Sequence, residues 1–389
     1  MRRAVIVDVV RTPFAKGRED GALSAVHPVD LLAHTLKGLV ARTGIDPGTV
    51  DDVIAGCVIQ VGEQAANIGR QAWLASGYPE TVPAVTIDRK CGSAQQAMDF
   101  AAQGVMAGAY DLAIACGIEM MSRVPMRSNR LGKDNLGPML RRRYPDGLVH
   151  QGISAELIAA RWRLARGELD AYALRSHRRA AAAEHRGLLA RDILPIDGVA
   201  SDEGIRRNTT AEKLAALEPA FVDAEAATRF PEIGWVVTAG NASQVSDGAS
   251  AMLIASEEAA ERLNLAPRAA ISHFAVCGDD PVLMLTGIIP ATRKLLARSG
   301  RTLDEIDRFE VNEAFASVVL AWAAALGADL DCVNVDGGAI AFGHPVGASG
   351  GRLTANLIGG LEESGGRLGL QTMCESGGMA NATLIERLG

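Results

Sequence analysis

The stretch ARTGIDPGTVDDVI at 41–54 aligns without gaps on ARSGRTLDEIDRFE at 297–310. Two further matches follow in the same order. VTID (85–88) falls on VNVD (333–336), and AIACG (113–117) on QTMCESGG (371–378), which pairs Cys116 with Cys374. Chance can produce one such match; three in order describe a duplicated unit. A chain that repeats itself on this scale folds as two similar halves whose apolar faces pack together. Within the first half, strands and helices alternate. Strands are expected at 4–9, 52–56, 85–88 and 112–115, with helices at 31–43 and behind Cys91. That alternation predicts an α/β fold.

Between the halves the character changes. Residues 120–246 hold the helix-like SAELIAARWRLARGELDAYALRSHRRAAAAEHRG and long irregular stretches such as MRSNRLGKDNLGPMLRRRYPDG. Loops this long inside a compact domain usually bind something. The expected organisation is a first half of 1–119 plus 247–267, an inserted loop domain of 120–246, and a second half of 268–389. With 389 residues, 48% of them hydrophobic, the chain can bury a large core.

A net charge of −7 argues against nucleic acid as a partner. The cluster Arg141, Arg142 and Arg143 is too short to change that, and reads as a solvated patch or a seat for one anionic ligand. The six cysteines show no CxxC and no Cys/His metal spacing, so neither a disulfide framework nor a metal is expected. MRRAVIVDVV reads as a buried strand and not a signal peptide. No apolar stretch reaches the roughly 18 residues that a membrane span requires. The expectation is a reduced, soluble, cytoplasmic protein.

Four clusters stand apart from ordinary core or turn sequence. In RKCGSAQQAMDFAAQGVMAG (89–108), Cys91 heads a slim apolar helix. A buried cysteine is most often an inert small hydrophobe, but at a helix N-terminus it can be an activated thiolate. In VNEAFAS (311–317), Asn312 and Glu313 follow a strand, and a polar strand-to-helix cap explains them as well as chemistry does. NVDGGAIAFGHPVGASGGR (334–352) presents His344 from a glycine-rich loop, and MCESGGMANA (373–382) sets Cys374 before another. Glycine there permits tight turns or a close approach. Two thiols, an imidazole, an amide and glycine-loop N–H groups together suit acyl transfer. One thiol attacks a thioester and stores the acyl group. The loop N–H groups and His344 hold the oxyanion, and the second thiol moves a proton at an α-carbon. A thiol pair could also be redox-active, but no thioredoxin-like motif is present.

These clusters resemble the thiolase family over essentially the whole chain. The resemblance is carried by RTPFAKGRED, AGCVIQVGEQAANIGRQAWLASGYP, DRKCGSAQQA, CGIEMMSRVP, VTAGNASQVSDGASA, VNEAFAS, GGAIAFGHPVGASGGR and CESGGMANATLIERL, in order and at matching spacing. It implies a thiolase fold of five layers, αβαβα, built from two duplicated halves, with the inserted loop domain covering coenzyme A. It also implies roles. Cys91 is the nucleophile that becomes acylated. His344 activates it and shares one oxyanion hole with a water held on Asn312. Cys374 is the acid/base at the acetyl-CoA methyl group, and the backbone N–H groups of Cys91 and Ser376 form a second oxyanion hole. Ser243 matches the position that contacts the pantetheine arm, while His150, Met284 and Phe315 match pocket-lining positions. Acyl-CoA and CoA are substrates, no cofactor is implied, and the family forms homodimers and homotetramers.

The sequence departs from the family at several points. Cys-x-Gly-Gly-Gly becomes Cys374–Glu375–Ser376–Gly377–Gly378, so the N–H at 376 serves only if Ser376 accepts that backbone. CGSG becomes CGSA, with Ala94 giving tighter helix packing. Gln151 stands where short-chain acetoacetyl-CoA thiolases often carry methionine, which favours a broader or longer 3-ketoacyl substrate over acetoacetyl-CoA synthesis. The segment VDAEAATRFPEIGW after Phe221 is roughly ten residues longer than usual, a loop-type insertion. Decarboxylating ketoacyl synthases pair their cysteine with two histidines, and Cys374 argues against that class. A non-catalytic acyl-CoA-binding relative is the remaining alternative.

Overall fold

The computed structural model describes residues 2–389. The first half opens with β1 (Ala4–Arg11), buried throughout, and the two-residue β2 (Ala15–Lys16). Helix α1 (Pro28–Thr43) starts where His27 accepts the Val29 N–H and proline occupies the first turn, and Gly44, at φ 68°, ends it. Strand β3 (Asp52–Gly56), α2 (Ile68–Ala75), β4 (Ala84–Ile87), α3 (Ser93–Ala107) and β5 (Leu112–Met120) follow. Five helices then fill the inserted segment: α4 (Gly137–Arg143), α5 (Gln151–Trp162), α6 (Arg166–His185), α7 (Ala211–Ala215) and α8 (Ala224–Arg229). The chain returns through β6 (Ser246–Ser256) and α9 (Glu257–Arg262).

The second half comprises β7 (Ala269–Gly278), α10 (Ile288–Ser299), β8 (Arg308–Val311), α11 (Ala316–Leu326), α12 (Ala339–Phe342), α13 (Ser349–Ser364), β9 (Leu368–Glu375) and β10 (Met379–Arg387). Strand order is β4-β3-β5-β6-β1-β7-β10-β9-β8, with β2 beside β6. Among the described residues, strands of the two halves pair where Ala4, Val5 and Ile6 of β1 meet β7. Helices α3 and α13 touch each other, and both touch strands of both halves. They form a shared central layer. Helices α1 and α2 cover the outer face of the first half's strands, and α10 with α11 cover the second half. The expected five layers are therefore present, with one apolar cluster under the outer helices of each half and a third around the central helix pair.

The repeat is visible in the coordinates. Gly300, at φ 67°, ends α10 as Gly44 ends α1, and a 3₁₀ turn precedes both β3 and β8. The strand register corrects one expectation. Ala55 pairs with Cys116 across β3 and β5, and Val311 with Thr372 across β8 and β9, both in parallel. The equivalent of Cys116 is therefore Thr372, not Cys374. Glycines had slid the sequence match by two residues. VNVD also fails to form a strand, since Val333 makes a single bridge to Phe309. Cys91 lies outside its helix: α3 begins at Ser93, with Gly92 at its N-cap. The long helix-like stretch breaks into α5 and α6 at Arg163, which takes φ 55°.

The halves approach closely because small residues line the contact. A side chain on Gly350 of α13 would collide with the backbone of Ala94 and Gln95, and one on Gly117 with Ala94 and the Gly347–Ala348 backbone. Both helix N-termini therefore meet at one place. The longer segment after Phe221 is an excursion closed at its base. The Ala220 N–H donates to the Val237 carbonyl at 2.9 Å, and the Glu156 carboxylate accepts from Val236 and Val237. It is not wholly loop, since α8 lies within it and Asp223 caps that helix. Among the described residues no helix is long and apolar enough to cross a membrane.

Candidate active site

His344 is delivered by a loop that nothing but glycine could start. Gly343 takes φ 102°, and a side chain there would strike the Ser246 hydroxyl. The His344 N–H then donates to the Gln244 carbonyl at 3.0 Å and to Ser246 Oγ at 3.1 Å. Two buried arginines brace the residue before this turn. Arg11 and Arg352 lie 5.9 and 5.4 Å from the ring centre of Phe342. Arg11 binds Asp202 through two hydrogen bonds of 2.6 and 2.7 Å, and Arg352 binds Glu310 at 3.1 Å.

The imidazole is oriented at one edge and open at the other. Nδ1 lies 2.7 Å from Ser349 Oγ, whose own proton goes to the Pro345 carbonyl at 2.9 Å. That network assigns the Nδ1–H tautomer and leaves a lone pair on Nε2. Asn312 Nδ2 sits 3.4 Å from Nε2, and the same amide lies beside the Cys374 thiol, holding its pKa below what burial alone would give. Cys91 shares an apolar cluster with Met373, just before Cys374, and Val346, two residues after His344, and Cys374 lies close enough to raise the pKa of Cys91. The structure thus brings Cys91, Asn312, His344 and Cys374 to the point where the N-termini of α3 and α13 meet. Two positive helix ends converging on one spot favour a developing anion.

Burial keeps every group here uncharged at rest. It pushes His344 down to about 3, with Arg352 adding to the effect. Burial likewise pushes Cys374 up to about 12, and raises Cys91 strongly, with Cys374 and Glu375 as further causes. The free site therefore holds two thiols and a neutral imidazole, not a thiolate–imidazolium pair. Ionisation has to accompany attack.

The remaining expected residues line the surroundings. The left-handed turn after Cys374 falls on Gly377 (φ 94°) and Gly378 (φ 77°), so Ser376 carries no backbone strain. Met284 and Phe315 are buried in the same apolar cluster as Cys374. Ser243 is half-buried, its N–H donating to the Ala314 carbonyl at 3.0 Å. His150 is exposed at the start of α5, accepting the Gly152 N–H, with its ring centre 5.6 Å from Phe221. Phe221 meets Phe315 edge-on at 5.8 Å, which makes an aromatic row from the surface toward Cys374. Arg141 is paired with Asp134 on the exposed α4. A separate groove of about 490 Å³, lined by Arg206, Arg207, Lys213, Leu214 and Leu217 among others, runs beside the loop that bears Ser243.

Sequence reasoning missed the groups that hold these parts in place. Glu313 is no helix cap: it accepts from Tyr172, Ser176, Asn334 and the Ile340 N–H, tying α6 to the loop that leads to His344. Buried Glu119 accepts from the Val58 and Ile59 N–H groups and from Gln64, with Gly347 as a further donor. Ser349 stands inside the motif that drew attention to His344, but nothing local distinguishes it from a turn serine.

Two family models match the chain, Thiolase, N-terminal domain over residues 4–258 and Thiolase, C-terminal domain over 265–387. A steroid 3-ketoacyl-CoA thiolase, FadA6, of Mycobacterium tuberculosis is 48% identical, covering 100% of this chain and 95% of the relative. A 3-ketoacyl-CoA thiolase of Aliivibrio fischeri is 41% identical over the full length of both. Among solved structures, Bacillus anthracis acetyl-CoA acetyltransferase (TM-score 0.88, 37% identity) and human mitochondrial 3-ketoacyl-CoA thiolase (0.88, 35%) each superpose on 100% of this chain and 99% of theirs. With its two halves, its central helix pair and both family models matched, the chain belongs to the thiolase family.

Proposed function

We propose that this protein catalyses the reversible reaction of a 3-ketoacyl-CoA with CoA to give acetyl-CoA and a shortened acyl-CoA, through an acyl group carried on Cys91. The observation that carries this is the Asn312 amide held between His344 and Cys374 at the meeting of two helix N-termini, beside Cys91. In the cleavage direction the Cys91 proton passes to Nε2 of His344 as sulfur attacks the keto carbon. The oxyanion is met by His344 and a water on Asn312. Collapse breaks the C2–C3 bond, and Cys374 protonates the departing acetyl-CoA carbanion, whose thioester oxygen is met by the N–H groups of Cys91 and Ser376. CoA thiol then gives its proton back to Cys374 and attacks the thioester, and Cys91 leaves with the proton held on His344.

Ser243, His150, Met284 and Phe315 line the arm along which CoA and the acyl group enter. The CoA phosphates suit the groove with Arg206, Arg207 and Lys213 better than α4, where Arg141 is already paired. The acyl group is bulky, as the name of the relative from Mycobacterium tuberculosis suggests, and the protein works in the cytoplasm. The apolar side of α8 with Phe230, Ile233 and Trp235 joins Ile153 and Leu157, continuing the pocket wall through Phe221 and Leu283. Thiolysis rates across 3-ketoacyl-CoA esters test this. Fused-ring or long acyl groups are expected to exceed acetoacetyl-CoA in kcat/KM by about tenfold or more, or roughly 1.4 kcal/mol. Acetoacetyl-CoA as the fastest substrate would replace this reading with that of an acetyl-CoA acetyltransferase.

The protein is a homodimer or homotetramer in this reading. Strand β4 ends the sheet with one side unpaired and carries exposed Val85, with exposed Leu74 on the adjoining α2. Light scattering is expected to give a dimer or tetramer for the wild type and a smaller species for Val85→Lys. A monomeric wild type would refute the pairing.

A further inference from the structure

Most polar groups buried in this fold are satisfied, but one cluster is conspicuously short of donors. Gln95 Oε1, Gln96 Oε1, Asp99 Oδ2, Asn381 Oδ1 and both carboxyl oxygens of Glu375 are buried with no hydrogen-bond partner. Every one of these atoms is an acceptor. Gly92, Gln95, Gln96 and Asp99 recur at helical spacing along one face of α3. The cross-strand pairs Glu375–Met379, Met373–Asn381 and Gln371–Thr383 put Glu375, Asn381 and Thr383 on one face of β9 and β10. Hydrogen bonds stitch the two faces together. Gln95 donates to Thr383 Oγ1 at 2.9 Å, Thr383 to Asp99 Oδ1 at 2.8 Å, and Asn381 to the Gly92 carbonyl at 3.2 Å. The Glu375 carboxyl lies where a side chain on Gly92 would have to go. Glycine at 92 is thus the cradle for that carboxyl, one residue after the nucleophile.

Two buried carboxylates that share the single hydrogen bond from Thr383 are costly in such a place. The groups facing Glu375 are Asp88 and Arg89 from the turn before α3, Cys91 and Asp99 from the α3 segment, Cys374 on its own strand, and Cys277 on β7. Arg89 is the one cation among them. As acids, the two carboxyls supply the two O–H donors that the cluster lacks. Burial pushes Glu375 up to about 8 and Asp99 up to about 7.

We propose that Glu375 is a positioning residue that serves the reaction in its uncharged acid form, filling the Gly92 cradle so that the N-terminal field of α3 is left to the Cys91 sulfur. Once ionised, the same carboxyl sets a fixed negative charge beside both thiols and opposes formation of either thiolate. This rests on the reading of Cys91 as nucleophile, and it gives Glu375 no contact with substrate.

The test reads Cys91 alone. The rate of its alkylation by iodoacetamide, located by peptide mass, is followed against pH in wild type, Glu375→Gln and Glu375→Leu. In the wild type the rise with pH is expected to flatten near pH 8, where the carboxyl ionises. Both uncharged variants are expected to match the wild type on the acid side and exceed it by about tenfold near pH 9. A wild-type rate that climbs without a break through that range overturns the proposal, whatever the variants do. So does a Glu375→Gln profile equal to the wild type, or one slower at every pH. Failure of the nucleophile reading shows itself separately, as absence of an acetyl adduct on Cys91 after incubation of the wild type with acetyl-CoA.

Discussion

Cys91→Ala is expected to lose thiolysis by about 10⁴-fold or more, and incubation with acetyl-CoA is expected to leave position 91 unmodified. In the wild type the same incubation adds one acetyl group there. The size of the loss follows from what the thiol supplies. It splits one difficult exchange between two CoA thioesters into two easier ones, and no neighbouring group can take its place. The Asn312 amide is no nucleophile, and the His344 Nε2 lone pair and the Cys374 thiol are each committed to moving a proton. The fold should survive, because Cys91 precedes α3 and the substitution leaves the Gly92 cap and the helix contacts alone. An acetylated wild-type residue other than Cys91 would refute the mechanism. The pH dependence adds a second check. An ordinary histidine loses its basic lone pair below about pH 6.5. Buried His344 is held neutral down to about 3, so acylation of Cys91 should show no loss centred near 6.5 as pH falls.

Cys374→Ala should separate the two halves of the chemistry. The acetyl adduct on Cys91 is still expected to form from acetyl-CoA, more slowly, since the departing CoA thiolate loses the Cys374 proton but can leave as the anion or take a proton from water. Condensation and thiolysis of 3-ketoacyl-CoA are expected to fall by about 10³- to 10⁴-fold, because the carbanion loses its proton donor. Exchange of the acetyl-CoA methyl protons in heavy water should disappear with them. Retention of that exchange would assign the base elsewhere. The variant also removes one partner of the Asn312 amide, so His344 Nε2 becomes its remaining neighbour.

Much of this arrangement could be read from the chain before any coordinates. The duplication and the four reactive side chains left marks, because small residues and tight glycine turns demand unusual sequence, and the five layers followed from the family resemblance. Three things left weaker marks. The match of Cys116 to Cys374 erred by two residues because glycine runs align with one another at several offsets, and only the strand register separates them. Glu313 looked like a cap because a carboxylate before a helix usually is one, and its four donors come from α6, the Asn334 turn and α12. Glu119 gathers donors about 60 residues back and Gly347 of the other half, and no local pattern encodes partners that far along the chain, while Ser349 reaches only His344 and Pro345 but looks like any turn serine. Ser376 was legible as a departure from a glycine pattern, but the sign of its φ was not. The strain had moved to the two glycines that follow.

The Ala220–Val237 hydrogen bond and the Glu156 contacts beside it carry a consequence for how such a protein can be altered. Because they fasten the base of the excursion containing α8, the segment beyond them is in effect a detachable cassette. Its length and composition can change while the two points at which it plugs into the molecule stay fixed. The helix ends that meet at Cys91 enjoy no such freedom, since Gly117 and Gly350 leave no room for even a methyl group. Diversity in a library of variants belongs at the exposed positions of 222–235, and the buried Ala226 and Ile233, like the glycines between the halves, are the positions to leave alone.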